Sequence, residues 1–133
     1  MRYAGMFLRD RRVYSIGEFV ALELAPSAVN QSGVFVDATY VAMPVPNGFG
    51  AVLEVAMDAN GRYHVSCHAS TASGYRGFSP SSKWNSLGTR EEAFVAGVHI
   101  LQGYFRHKLS RKYFSEAKRE YFRRAHRQLE LFE

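Results

Sequence analysis

The sequence predicts an α+β fold: an antiparallel sheet of about four or five strands followed by two C-terminal α-helices packing on one sheet face. Three observations carry this. β-Branched and aromatic residues recur between turn residues through the first half; Asp58-Ala59-Asn60-Gly61 is a hairpin turn; and Thr89-Arg90-Glu91-Glu92 opens a segment with helical apolar spacing.

Taken in order, Tyr3–Leu8, Val13–Leu24, Val34–Met43 and Ala51–Met57 read as strands. Asn60-Gly61 supplies the positive φ that a tight turn needs, which makes Ala51–Met57 and Arg62–Ser70 a hairpin. Along Arg62–Ser70, Tyr63, Val65, Cys67 and Ala69 alternate with Arg62, His64, Ser66 and His68. Such alternation predicts one buried face and one solvated face. Pro44-Val45-Pro46-Asn47-Gly48 separates two strands, and Ser70–Gly88 reads as a Ser/Gly-rich loop.

Thr89 and Glu92 have capping-box spacing, so the first helix starts there. Phe94, Val98, Leu101, Phe105 and Leu109 then lie on one helical face. Ser110 or Ser115 is the expected cap of a second helix ending near Arg127, with Phe114, Ala117, Tyr121 and Ala125 as its apolar stripe.

A length of 133 residues fits one domain spanning 1–133. Cys67 is the only cysteine, so neither an internal disulfide framework nor a CxxC site is available. Its place on the apolar side of a strand predicts an inert buried thiol. With no apolar run near the ~20 residues of a membrane helix and no secretory leader, the chain is expected to be cytoplasmic and to have no membrane partner.

His64 and His68 do not make a metal pair, because four residues of strand separate them by ~13 Å. They read as exposed strand histidines. His99, His107 and His126 lie near no matching ligand set, and no metal or cofactor is expected. Gly5-Met6-Phe7 and Tyr14-Ser15-Ile16-Gly17 are only partly similar to the GIY-YIG nuclease pattern. The first Tyr is absent and Ser15 interrupts the second triplet. Asp37, Glu54 and Asp58 lack nuclease-like spacing to a Lys, so no general acid–base pair or catalytic residue is assigned.

Charge is the stronger signal. The net charge is +5 and the pI about 9.6. Between Arg106 and Arg127 stand nine basic residues against Glu116 and Glu120, a local +7 that leaves −2 for the remainder. Arg111, Lys112, Arg119, Arg123, Arg124 and Arg127 are the candidate nucleic-acid contacts. Glu116 and Glu120 fall in the same arc, so pairing at i+3 or i+4 leaves a solvated face as the competing reading. In the Ser70–Gly88 loop, Tyr75, Arg76, Lys83 and Trp84 are a candidate stacking or anion-binding set.

Gln128-Leu129-Glu130-Leu131-Phe132 resembles the Gln-Leu-Ser/Asp-Leu-Phe peptide by which many bacterial replication and repair proteins bind the DNA polymerase III sliding clamp. Four of the five positions match, and Glu130 places an acid where Asp is common. The resemblance implies that Leu131 and Phe132 fill a deep pocket, Leu129 an adjoining one, and Gln128 hydrogen-bonds at the rim, from an exposed tail at 128–133. Leu129 and Phe132 extending the helical stripe into the chain's own core is the alternative.

These readings predict a non-enzymatic, DNA-associated bacterial accessory protein, suited to a plasmid, phage or other mobile element, that approaches DNA with a basic helix and is tethered to the clamp. A protein–protein interaction domain or inhibitor without nucleic-acid binding is the second reading, and a small enzyme the third.

Overall fold

The computed structural model describes residues 12–45, 50–71, 74–83, 86–105 and 108–131. For Thr71 and for residues 108–110 and 128–131 the description is of backbone alone. The expected strand at Tyr3–Leu8 lies outside these residues.

Among the described residues, five strands form one sheet in sequence order: β1 (Val13–Tyr14), β2 (Thr39–Ala42), β3 (Gly50–Met57), β4 (Tyr63–Thr71) and β5 (Gly74–Gly77). β1 runs parallel to β2; every other pairing is antiparallel. The helices of the described residues are α1 (Ile16–Ala21), α2 (Arg90–Tyr104) and α3 (Lys108–Leu131). The α+β arrangement follows the sequence. The sheet is mixed rather than wholly antiparallel only because of the two-residue β1.

The hairpin is built by Asp58. Its Oδ1 accepts from the amides of Asn60 and Arg62 at 2.9 and 3.0 Å, its backbone N–H donates to the Arg62 carbonyl, and Gly61 takes φ +77°. Residues 13–24 differ from expectation. Ser15 ends β1 and starts α1 with a complete capping box: its hydroxyl accepts from the Glu18 amide, and the Glu18 carboxylate accepts from the Ser15 amide. Two satisfied orphan amides outweigh the strand preference of Ile16, Phe19 and Val20. Arg90 closes the other end of α1, donating to the carbonyls of Phe19 and Val20 at 2.7 and 3.2 Å. The expected strand Val34–Met43 is reduced to Thr39–Ala42, with single bridges at Val34 and Phe35. The loop expected over Ser70–Gly88 contains β5.

α2 starts at its predicted cap, Thr89 Oγ1 accepting from the Glu92 amide. The Glu92 carboxylate reaches Gly88 N–H, one residue before the cap. Phe94, Val98, Leu101 and Phe105 are buried as expected, but α2 ends at Tyr104, so Leu109, expected on the same helix, belongs to α3. α2 lies on the sheet at very close range, because a Cβ at Gly97 would stand 2.8–2.9 Å from methyl groups of Leu53 and Val65. α3 begins at Lys108, ahead of both candidate serine caps, and packs against α1 and α2. Its stripe is the predicted one: Phe114, Ala117 and Tyr121 are buried and Ala125 is partly so. Tyr121 stacks on Phe94 at 4.5 Å between ring centroids, and Phe105 meets Phe114 edge-on at 5.5 Å. Burial pushes the Tyr121 hydroxyl and the Cys67 thiol each up to about 12.

The opposite sheet face overturns the expectation of a solvated side. His64, Ser66, His68 and Ser70 are all buried, as is Glu54 on β3. Segments 27–38 and 78–83 fold over the His64 end of this face. Phe35 N–H donates to the Pro80 carbonyl, Ser27 N–H to that of Met57, and the Phe35 ring lies 4.9 Å from the His64 imidazole.

Candidate functional site

α3 is amphipathic with a sharply cationic outer side. Phe114, Ala117, Tyr121 and Ala125 define the inward direction, and at 100° per residue Lys112, Arg119 and Arg123 point directly away from it. Arg127 lies about 55° from that direction and Arg111 about 105°, at the side of the helix; all five are exposed. From Lys112 to Arg127 the array extends ~22 Å at 1.5 Å rise per residue.

Arg124 belongs to a different environment. It leans toward α1, where a Cβ at Gly17 would be 3.6 Å from its guanidinium carbon. Its Nε donates to Glu120 Oε1 at 2.8 Å, and Arg123 pairs with the other oxygen of the same carboxylate. Arg124 first, and Arg123 after it, hold the Glu120 carboxyl below its ordinary range. One carboxylate thus compensates part of the cationic side. Among the described residues, no ion pair involves Arg111, Lys112, Arg119 or Arg127.

The candidate stacking set does not form one surface. Tyr75 and Arg76 are neighbours on β5 and leave it on opposite sides. Tyr75 turns to the polar sheet face, while the Arg76 guanidinium lies 5.9 Å over the Tyr104 ring on the helical side. Lys83 is exposed beside Gly33, and Trp84 lies outside the described residues. Gln128, Leu129 and Leu131 continue the backbone of α3; Phe132 lies outside the described residues.

The two strand histidines, expected to be exposed, are buried and centre two polar pairs, one part-buried with Asp58 and one buried with Glu54. His64 Nε2 lies 2.8 Å from Asp58 Oδ2, so the turn carboxylate also fixes the imidazole. His68 Nε2 lies 2.6 Å from Glu54 Oε1, and its Nδ1 meets the Tyr75 hydroxyl. Glu54 and His68 sit diagonally across β3 and β4, within side-chain reach on one face. Gly77 makes room: a Cβ there would be 2.5 Å from His68 Nδ1 and 2.7 Å from the Tyr75 oxygen. Burial, with Tyr40 and Glu54 adding to it, raises the Tyr75 hydroxyl above its ordinary value. Ser66 stands between the histidines on β4. Its Oγ has no hydrogen-bond partner among the described residues.

Sequence reasoning missed this array because it treated histidines on the polar side of a strand as solvated. The available signal was that Glu54, His64 and His68 are polar residues of the two longest strands. Such strands lie inside a five-stranded sheet, where either face can be covered. Elsewhere, an open cleft of about 250 Å³ beside Tyr14 is bordered by Glu23, Asp37 and Thr39, an acidic edge well separated in sequence from the cations of α3. Among the described residues no three His, Cys, Asp or Glu side chains converge on a metal position, and no helix is long and apolar enough to cross a membrane.

Comparison with protein-family models, with curated proteins and with solved structures finds no match to the chain.

Proposed function

We infer that the chain is a DNA-associated accessory protein that lays the outer side of α3 along the phosphate backbone. The exposed row Lys112, Arg119, Arg123 and Arg127, on a helix whose opposite side is locked into the core, is the observation that carries this reading. A rigid cationic helix meets a polyanion without an ordering penalty for its backbone, and each phosphate contact releases condensed counterions. Arg side chains also suit this task, since the guanidinium fork matches phosphate geometry. Recognition of this kind is independent of base sequence, because only the backbone is contacted.

Tethering to the bacterial sliding clamp completes the proposal. It rests on the resemblance of residues 128–132 to the clamp-binding peptide. Because Gln128–Leu131 continue α3, engagement in an extended form would involve unwinding the last helical turn, a cost that keeps the affinity modest. Two weak contacts held on one chain reinforce each other through effective concentration.

Both parts are testable on the full chain. Substituting Arg119 and Arg123 together by Glu is expected to weaken binding to duplex DNA of arbitrary sequence by more than tenfold at low salt. Titration with purified bacterial clamp is expected to give binding that Leu131→Ala/Phe132→Ala abolishes. Equal affinity of the two chains for the clamp would remove the tether and leave the DNA contact standing.

A further inference from the structure

The buried polar array on the sheet face away from α2 and α3 is not used by the DNA-binding reading, and it has the connectivity of a reaction centre. Glu54 is buried at 2% exposure and His68 at 8%, whereas Tyr75, on the edge strand β5, is 49% exposed. The order from inside to outside is therefore carboxylate, imidazole, phenol. Taking Glu54 as the carboxylate, an acceptor only, assigns the proton between the two groups to Nε2 of His68. That tautomer leaves Nδ1 of a neutral imidazole as an acceptor, facing the Tyr75 O–H. A hydroxyl whose proton rests against an oriented imidazole is an activated nucleophile.

We propose that Tyr75, His68 and Glu54 form a catalytic array that cleaves neutral carboxylic esters through an acyl-tyrosine. In the first step the Tyr75 oxygen bonds to the ester carbonyl carbon while its proton passes to His68 Nδ1. The bond from that carbon to the alcohol oxygen then breaks, and the imidazolium returns the proton to the departing alcohol. In the second step water attacks the acyl carbon, giving one proton to Nδ1, and Tyr75 leaves as the phenol after recovering that proton. Glu54 touches no reacting atom; it is a positioning residue that holds His68 in the required tautomer.

Two features select a neutral ester over a phosphate ester. The Arg76 guanidinium beside Tyr75 in sequence is turned to the other side of the sheet, over Tyr104. The Glu54 carboxyl lies behind the array, and as a carboxylate it opposes an anionic substrate. The hydroxyl also stays protonated at neutral pH, since burial raises it, so attack depends on simultaneous proton removal by His68. At the open side, the β4–β5 register turns the Tyr75 and Gly77 amides away from β4. Phe78 N–H bonds the Cys67 carbonyl, which makes 68–77 and 70–75 the non-hydrogen-bonded pairs. Backbone amides of this kind are donors suited to a carbonyl oxygen that gains charge.

The test uses p-nitrophenyl acetate with the full chain, following nitrophenol release and locating the acetyl group by peptide mass spectrometry. The expected result is acetylation at Tyr75. Tyr75→Phe keeps the ring and the fold, and both it and His68→Gln should slow release at least about tenfold, in line with the loss of a nucleophile or its general base. Glu54→Gln should lower kcat severalfold with KM unchanged, the mark of a group that orients the base and does not bind ester. Acetyl groups confined to lysine or terminal amines, or Tyr75→Phe reacting at the rate of the unaltered chain, would overturn the proposal. Should His68→Gln fail to fold by circular dichroism, the Tyr75→Phe comparison alone decides. Absence of DNA binding by the unaltered chain would leave this outcome untouched, so the two readings fail separately.

Discussion

Asp58 does two jobs with one carboxylate: Oδ1 closes the β3–β4 turn and Oδ2 fixes His64. The His64 hydrogen bond is the main reason its carboxyl is held below the ordinary value of 3.8. A lowered folded value means that the unfolded chain takes up the proton first. The stabilisation is therefore complete above the ordinary carboxylate range and disappears as pH falls through the lowered value. Asp58→Ala should cost about 2 kcal/mol at neutral pH, the scale of losing charge-assisted hydrogen bonds, and urea titrations repeated at falling pH should show the two chains converging. Ser66→Ala offers the opposite case. It removes a buried hydroxyl that no described residue satisfies, so stability should be unchanged or rise by up to about 1 kcal/mol in the same titration. At Gly97 the added methyl of Ala would press on Leu53 and Val65, and a loss of about 1–3 kcal/mol is expected from overpacking. Of these residues, only Asp58 announced part of its role in the sequence, through Asp-Ala-Asn-Gly. Its hold on His64 depends on the imidazole being covered by Phe35, a contact between distant segments.

At the scale of elements, legibility tracked how local the cause is. The hairpin, the Thr89 cap and the apolar stripes of α2 and α3 are written in spacings of a few residues, and the structure has them where those spacings put them, except that Leu109, expected on the first helix, falls in α3. α1 was equally local, since Ser15 and Glu18 are a capping box, but strand-forming Ile16, Phe19 and Val20 masked it. Ser15→Ala should therefore destabilise the chain by about 1 kcal/mol, measured by thermal unfolding. β5 was hidden by its own composition: Gly74 and Gly77 read as loop, yet Gly77 is required for the approach of His68 and Tyr75. The second buried sheet face was illegible for a physical reason. What covers its His64 end is segments 27–38 and 78–83, joined by single bridges that carry no periodic signature.

On the whole-molecule scale the chain is two-sided. One sheet face carries α1 and α2, with α3 packed against both and turning its cationic side outward; the other holds the Glu54–His68–Tyr75 array. An acidic protein partner and DNA would both be drawn to α3, and salt separates them. Contacts to about four or five phosphates give a log–log slope of about −4 for the association constant, with no dependence on base sequence. The most direct measurement is fluorescence anisotropy of a short labelled duplex titrated with the full chain from low to physiological salt, in parallel with the Arg119→Glu/Arg123→Glu chain. The account predicts that steep linear fall for the unaltered chain and a weaker, shallower response for the variant. Absence of binding at low salt, or identical curves for the two chains, would contradict it.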